Sequence, residues 1–271
     1  MNNIPKIGFV GVGTIAEALI IGMCAGGEHR ADTLLSPRSA EIAERLSRQY
    51  DFIRVAADNQ AVVDGSDIVF LAVRPQVADE VLSPLVFRAD QRIVSLIATY
   101  DVARLQPLVA PATTIARAIP LPPVAQRKAA MTLYPPLPEI AALLDGLGQL
   151  VQLDREDDID ACVAVTALMG SYFGMLDGIA GWLSQRGIAS EQAQSYVGAI
   201  YHALGIAAEA QAADGFDRLS VEYSTRGGLN EQAWRELRAA GLNDMFSEAL
   251  DLIHDRVRGR ATLEDQLPRN R

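Results

Sequence analysis

Short apolar runs alternate with amphipathic segments along the first half of the chain. Five of these runs have the length and content of buried strands, and they cover residues 7–10, 33–35, 68–73, 92–96 and 114–118. The segments between them place apolar residues at helical spacing, as in 39–50 and 76–85. Strands that alternate with helices imply right-handed crossovers and a mostly parallel sheet covered on both faces. The pattern therefore predicts a doubly wound α/β fold.

The second half of the chain has a different pattern. A strand (129–133), a short helix (137–146) and a last strand (150–153) complete the α/β domain, and long helical segments then cover 157–168, 171–186, 190–213, 230–240 and 243–258. Glycines stand at plausible ends of several of these helices. We expect an α/β domain over 1–153, an all-helical domain over 154–260 and a flexible tail over 261–271.

The helical segment 163–183 is apolar on nearly every side. Such a helix has to be covered on most sides, and a second copy of the chain is the simplest cover. No apolar stretch reaches the roughly 18 residues that a membrane span needs, and the N-terminus lacks the regions of a signal peptide. We therefore expect a cytoplasmic homodimer that does not enter a membrane.

Charge and residue content exclude several classes of function. The formal net charge is -10 over 271 residues, and Lys6 and Lys128 are the two lysines. Such an acidic protein lacks the charge that binding to nucleic acid or to an anionic membrane requires. The spacing of cysteines and histidines matches neither a disulfide framework nor a metal site, so no metal is expected: they are Cys24, Cys162, His29, His202 and His254.

A glycine-rich motif follows the first strand and opens the first helix. Gly11, Gly13 and Ala16 form the pattern G-x-G-x-x-A, in which the first glycine permits a tight turn, the second admits a pyrophosphate and the small third residue lets helix and strand pack closely. Thr14 and Ile15 complete the turn into the helix. The N–H groups and positive dipole end of that helix suit an anion. The motif predicts a dinucleotide site.

The end of the second strand indicates which dinucleotide is preferred. NAD-binding members of this fold carry an acidic residue there for the ribose 2′-hydroxyl, whereas residues 35–38 of this chain read Leu-Ser-Pro-Arg. Ser36 and Arg38 are suited to hydrogen-bond a 2′-phosphate. We therefore expect NADPH rather than NADH; the alternative is a solvated arginine beside a helix cap.

Five motifs resemble one known family. They are GVGTIAEAL at 11–19, LAVRPQ at 71–76, SLIA at 95–98, RAIPLPP at 117–123 and GGLNEQAWRELRAAG at 227–241. Together they resemble the pyrroline-5-carboxylate reductases, which carry out the last step of proline synthesis, to about residue 258. The resemblance implies a Rossmann domain followed by a helical domain interleaved between two subunits, with active sites at their interface.

The resemblance also assigns binding residues. The backbone around Gly227 and Gly228, just before a helix, would receive the carboxylate of the substrate. Arg226 beside it is suited to clamp an anion with two hydrogen bonds, or is a surface arginine. Four residues would line the nicotinamide and ribose side of the cofactor: Ala72, Val73, Arg74 and Pro75.

Three motifs depart from the family pattern. In R-x-M-P-N-x-P the asparagine is replaced by Leu121, which removes an amide that could contact the cofactor. The family's A-L-S-G-S-G-P-A is ALMGSYFG here, so Tyr172 and Phe173 add bulk. The second threonine of S-P-G-G-T-T, thought to protonate or orient the imine, is Asn230.

An asparagine donates a hydrogen bond but is not an acid at neutral pH, so Asn230 leaves the proton supply open. Tyr172, Asp177 and Tyr223 are candidate replacements. Asp177 lies on an apolar helix, where burial would favour its protonated form; pairing with an arginine or exposure to water is the alternative.

Three other functions are compatible with parts of the pattern. A β-hydroxyacid dehydrogenase is disfavoured, because it uses a lysine early in its second domain and no lysine follows Lys128. A related imine or carbonyl reductase with another substrate would keep the cofactor site. A non-catalytic sensor or scaffold that binds NADP(H) would bind the dinucleotide without consuming it.

Overall fold

The computed structural model describes residues 4–25, 27 and 31–262. The chain divides into two compact units, of which the first extends to Val163 and includes Val257–Arg260, and the second contains Ala164–Arg256. The predicted boundary at residue 153 lies before this division. His29 and, from residue 263 onward, the predicted flexible tail lie outside the described residues.

The first unit is built on one eight-stranded sheet. In chain order the strands are β1 (Ile7–Val10), β2 (Thr33–Leu35), β3 (Ile53–Val55), β4 (Ile68–Leu71), β5 (Arg92–Ser95), β6 (Thr114–Pro120), β7 (Ala129–Tyr134) and β8 (Gly148–Gln152). Their order in the sheet is β3-β2-β1-β4-β5-β6-β7-β8. Neighbouring strands are parallel except for β6 and β7, which are antiparallel. The predicted doubly wound, mostly parallel sheet is confirmed.

Helices connect these strands. They are α1 (Thr14–Ala25), α2 (Ala40–Gln49), α3 (Asn59–Asp64), α4 (Pro75–Leu82), α5 (Val102–Val109) and α6 (Pro138–Leu144), and a 3-10 helix covers Pro122–Gln126. A further helix, α7 (Glu156–Thr166), follows the last strand. Local residues explain two of the starts, because the side chains of Asp58 and Asp101 accept backbone hydrogen bonds from the first turns of α3 and α5.

The core of the first unit lies on both faces of the sheet. Phe9 and Phe70 belong to one apolar cluster, whereas Val10, Val69 and Leu71 belong to the other. The rings of Phe9 and Phe70 stack with their centroids 4.7 Å apart. Because successive side chains of a strand point to opposite faces, covering both faces explains why these strands are continuous apolar runs.

The second unit is helical and buries little on its own. Its helices are α8 (Met169–Ser184), α9 (Ser190–Ala210), α10 (Phe216–Glu222), α11 (Leu229–Ala239) and α12 (Leu242–Val257). One small buried cluster joins α8 and α9 through Ala180, Ala193 and Val197. Several large apolar side chains are more than half exposed in the single chain: Phe173, Trp182, Tyr196, Phe216 and Leu229. The predicted all-helical second part is confirmed.

The stretch Glu156–Ser184 corrects one expectation. Its 29 residues are long and apolar enough to cross a membrane by length and composition, although no segment was expected to reach that length. An 18-residue window within the stretch is apolar on average and contains at most two charged residues. The core helix of a soluble protein passes the same test, so the finding is weak evidence for a membrane span.

Candidate functional site

The glycine motif forms a tight turn between β1 and α1. Gly11 has φ +91°, and a Cβ at this position would lie 2.8 Å from the carbonyl oxygen of Ala72. Gly13 is exposed, and nothing lies within 4 Å of the position of its missing Cβ. Ala16 is fully buried. The three positions therefore have the predicted properties: a turn that only glycine tolerates, open space above the second glycine, and a close packing contact.

The start of α1 is suited to bind an anion. Thr14 is exposed and Ile15 is half-buried at its first two positions, where the N–H groups have no partners inside the helix. The one acidic residue of the first turn, Glu17, forms an ion pair with Arg45 of α2. Because this arginine offsets the negative charge of Glu17, the positive end of the helix dipole remains available to a phosphate.

The end of β4 lies beside the glycine turn. The N–H of Ala72 donates to the carbonyl of Val10 over 2.9 Å, and a side-chain carbon of Val73 lies 2.9 Å from the Cβ position of Gly11. Arg74 is exposed and precedes α4, and Pro75 is the first residue of that helix. The structure thus brings the predicted phosphate turn and the predicted nicotinamide-side residues together at the carboxyl edge of the sheet, where open α/β sheets bind ligands.

Ser36 and Arg38 differ in exposure. Ser36 is buried, and its Oγ accepts a hydrogen bond of 2.8 Å from the N–H of Gly11. The exposure expected of a phosphate ligand is therefore not found for Ser36, because its hydroxyl is turned toward the glycine turn. Arg38 is exposed in the loop before α2. Of this predicted pair, Arg38 is the side chain that faces solvent.

A buried arginine at the same edge of the sheet is not among the predicted site residues. Arg117 of β6 is 1% exposed; its guanidinium donates to Glu156 at 3.0 Å, to Asp160 at 3.2 Å and to the carbonyl of Ala98 at 2.8 Å. Its signal in the sequence is a charged residue inside the apolar strand TIARAIP. Leu121, which replaces the family's asparagine, is half-buried and packs against one face of the core.

The predicted substrate-carboxylate residues form a turn before α11. Gly227 has φ +74°, and Gly228 caps the helix. The N–H of Gly227 donates to the carboxylate of Glu231. Arg226 is exposed beside this turn. The N–H of Gly228 donates to the carbonyl of Thr225 over 2.8 Å. Both glycine N–H groups predicted to receive a carboxylate therefore have partners within the chain, and one of these partners is itself a carboxylate.

Asn230 lies at the same turn and has a backbone partner. Its Nδ2 donates to the carbonyl of Tyr223 over 2.7 Å. Both residues border an open, mostly apolar hollow of about 410 Å³, together with Ser224, Phe216 and Trp234.

Tyr172 and Asp177 lie on α8, and neither of them borders that hollow. Tyr172 is 41% exposed and makes an edge-on contact with the ring of Tyr201 on α9. Asp177 is exposed and borders a second hollow of about 340 Å³ with Gln194. Asp177 is therefore not buried in the single chain. Of the two expectations for this residue, burial and exposure to water, the single chain has exposure.

The two cysteines are not reactive groups. Burial raises the pKa of the Cys24 thiol to about 11, and burial followed by the negative charge of Asp158 raises the pKa of Cys162. Both thiols are free. Because the thiolate is the nucleophile, neither cysteine is suited to covalent catalysis near neutral pH.

The chain is similar to known proteins over two ranges. Residues 6–99 match the family described as NADP oxidoreductase coenzyme F420-dependent. Over nearly its whole length the chain is 29% identical to the pyrroline-5-carboxylate reductase of Pseudomonas aeruginosa. The match covers 97% of this chain and 98% of that protein.

Solved structures of pyrroline carboxylate reductases are similar to this chain in fold. The 1-pyrroline-5-carboxylate reductase of Streptococcus pyogenes superimposes with a TM-score of 0.80 at 25% identity, covering 94% of this chain and 98% of that chain. The pyrroline carboxylate reductase of Plasmodium falciparum, solved with NADP bound, shares the fold with a TM-score of 0.77 at 16% identity, covering 97% and 100%.

Sequence, fold and site geometry agree. The parallel sheet carries an open glycine turn beside the end of β4, and the matches extend from this domain through the helical one. The chain is therefore an NAD(P)H-dependent oxidoreductase that is similar to the pyrroline-5-carboxylate reductases over nearly its whole length.

Proposed function

We propose that this enzyme reduces the C=N bond of a cyclic imino acid, pyrroline-5-carboxylate, to proline with NADPH. One observation carries the proposal: the open turn at Gly13 lies beside the Ala72–Pro75 segment in a chain that matches a pyrroline-5-carboxylate reductase over 97% of its length. A related imine or carbonyl reductase with a different substrate is the second candidate, favoured by the bulk at Tyr172 and Phe173.

The cofactor is held by the carboxyl edge of the sheet. The turn Gly11–Gly13 and the first residues of α1, Thr14 to Ala16, would hold the pyrophosphate, and Ala72–Pro75 would line the nicotinamide half. The open space above Gly13 and the ion-paired Glu17 support this placement. When bound, the reduced nicotinamide supplies the hydride.

NADPH is the proposed form of the cofactor. The exposed Arg38 offers a permanently charged, planar fork to a 2′-phosphate, and no acidic side chain stands at 35–38 to hold a 2′-hydroxyl. The NADP in the Plasmodium falciparum structure lends support from a protein of the same fold. Ser36 contributes by fixing the backbone of Gly11.

The imino acid is held by its carboxylate at the turn before α11. Backbone N–H groups at Gly227 and Gly228 and the guanidinium of Arg226 are the proposed partners of that carboxylate. Asn230 orients the ring nitrogen by hydrogen bonding. Reduction also needs one proton at this nitrogen, which Asn230 does not supply; Tyr172, Asp177 and Tyr223 are the proposed alternative donors.

The second unit is proposed to pair with that of another copy, with the helices of the two subunits interleaved. The apolar side chains left exposed in the single chain support this, because monomeric proteins rarely expose a large contiguous apolar surface. We place the homodimer in the cytoplasm. Light scattering after size exclusion tests the assembly: a dimer mass is expected, and a monomer mass would contradict the pairing.

Steady-state turnover tests the activity. Purified enzyme is supplied with NADPH and pyrroline-5-carboxylate, and in parallel with pyrroline-2-carboxylate and neutral cyclic imines, while loss of NADPH absorbance is followed. Rapid oxidation with pyrroline-5-carboxylate and formation of proline are expected. Turnover of another imine alone would favour the second candidate. NADPH binding without turnover of any of them would favour a non-catalytic sensor and contradict the proposed reaction.

A further inference from the structure

Arg117 is a charged side chain buried almost completely in the interior of a strand. It is 1% exposed, and both strand neighbours, Ala116 and Ala118, are fully buried. Burying a charge is costly unless it is paired and hydrogen-bonded. The hydrogen-bond and ion-pair partners of Arg117 therefore have to offset the cost of burying its charge.

The guanidinium of Arg117 joins segments that are distant in the chain. One terminal nitrogen donates to the carbonyl of Ala98, three residues after the end of β5, and to Asp160, while the other donates to Glu156. Glu156 in turn accepts from the N–H of Val102 at the start of α5, over 2.7 Å. The β5–α5 connection, residues 96–101, is thus held in its middle, at Ala98, by the guanidinium and just after its end, at Val102, by the carboxylate of Glu156.

This connection lies at the edge of the sheet that carries the cofactor site. Arg117 is the register partner of Ser95, the last residue of β5, and β5 lies directly beside β4. In a doubly wound sheet the dinucleotide crosses the carboxyl edge, with one half over the strands on the β2 side of the switch point and the other over β4, β5 and β6. The 96–101 connection therefore borders the nicotinamide half.

We propose that Arg117 is a positioning residue that holds the 96–101 connection as a wall of the nicotinamide half of the cofactor site. The inference rests on the proposed use of a nicotinamide dinucleotide at this edge. Both terminal nitrogens of the planar guanidinium are used at once, one for the Ala98 carbonyl and Asp160 and the other for Glu156. A lysine at this position has a single point of charge and cannot keep all of these contacts.

Binding measurements on variants test this role. Arg117→Lys and Arg117→Met are compared with Arg92→Gln, a control on the neighbouring strand whose half-exposed arginine pairs with Glu139. Dissociation constants are measured by calorimetry for NADPH and for adenosine 2′,5′-diphosphate, which lacks the nicotinamide half. We expect Arg117→Met to weaken NADPH binding by roughly tenfold or more and Arg117→Lys by a smaller factor. The affinity for adenosine 2′,5′-diphosphate stays within about twofold in every variant.

The outcomes separate the possible explanations. A merely structural arginine would weaken both ligands together or neither, and either result overturns the inference. If Arg117→Met does not fold, Arg117→Lys decides by the same comparison of two ligands. Arg92→Gln is expected to bind both ligands as the wild type does. Failure of the wild type to bind NADPH or NADH would instead contradict the proposed function itself.

Discussion

The carboxylate of Glu231 accepts a hydrogen bond from the backbone N–H of Gly227, at the turn before α11. This N–H is one of the groups proposed to receive the carboxylate of the imino acid. A substrate carboxylate has to displace Glu231 from the turn or lie beside it, and two like charges at one site repel. If the substrate binds as proposed, Glu231 is therefore expected to disfavour anionic imines relative to neutral ones.

Replacing Glu231 by glutamine is expected to favour the anionic substrate. Glu231→Gln keeps an oxygen that accepts from Gly227 but removes the negative charge. We expect the KM for pyrroline-5-carboxylate to fall by about threefold or more, and the KM for neutral 1-pyrroline to stay unchanged. Steady-state kinetics with both imines measure the ratio. An unchanged ratio would place the substrate carboxylate away from this turn.

Removal of the Arg38 guanidinium is expected to erase the proposed preference for NADPH. An interaction of a charged donor with a phosphate contributes about 1.5–3 kcal/mol, so Arg38→Ala should raise the KM for NADPH by roughly tenfold or more and leave the KM for NADH unchanged. Arg48→Ala, also exposed but on the far end of α2, is the matched control. Equal effects on both cofactors would assign the 2′-phosphate to another side chain.

The two glycines of the turn should respond differently to alanine. Gly11→Ala forces a Cβ into a left-handed conformation and against the Ala72 carbonyl, so we expect a loss of about 1–2 kcal/mol or more in the free energy of unfolding. Gly13→Ala meets open space, so the free energy of unfolding should stay close to that of the wild type. Its methyl group projects where the pyrophosphate would lie, and NADPH affinity should fall. Denaturant unfolding and NADPH titration check both variants, and a stable Gly11→Ala protein would contradict the steric argument.

Alkylation of Cys24 should require strongly alkaline solution. Its thiol is raised from an ordinary pKa of 9.0 to about 11 by burial, so the reactive thiolate is scarce below that range. In the native protein the alkylation rate should keep rising with pH up to about 11, whereas in denaturant it should level off near the ordinary value. Mass spectrometry with Cys24→Ser as the assignment control follows the rates. A native rate that levels off near 9.0 would contradict the effect of burial.

The strands of the sheet could be predicted where both faces are covered. β1 and β4 are buried along their whole length, which makes their sequences continuous apolar runs. β3 was missed, because it is an edge strand in which Ile53 is buried and Arg54 and Val55 are exposed. The short helix α10 was missed as well, since its seven residues are too few for a periodic signal.

The site was predicted as far as its local motifs extend. The tight turn at Gly11, the open space at Gly13 and the start of α1 follow from neighbouring residues, and the structure has them; the binding of a phosphate there stays a prediction. The partners of Arg117 lie 39 and 43 residues away in the chain, so no local pattern could identify them. The burial of Ser36 depends likewise on a contact with Gly11 across two strands, 25 residues apart.

The hydrogen bond between Ser36 and Gly11 restricts how the cofactor preference of this enzyme can evolve or be redesigned. The usual exchange toward NADH would introduce an acidic residue at the end of β2. At position 36 such a residue would be buried and would replace the hydroxyl that orients the phosphate turn, so it would damage the site for both cofactors. Substitutions that change the choice of dinucleotide while preserving catalysis must therefore begin at the solvent-facing position 38 and keep the serine.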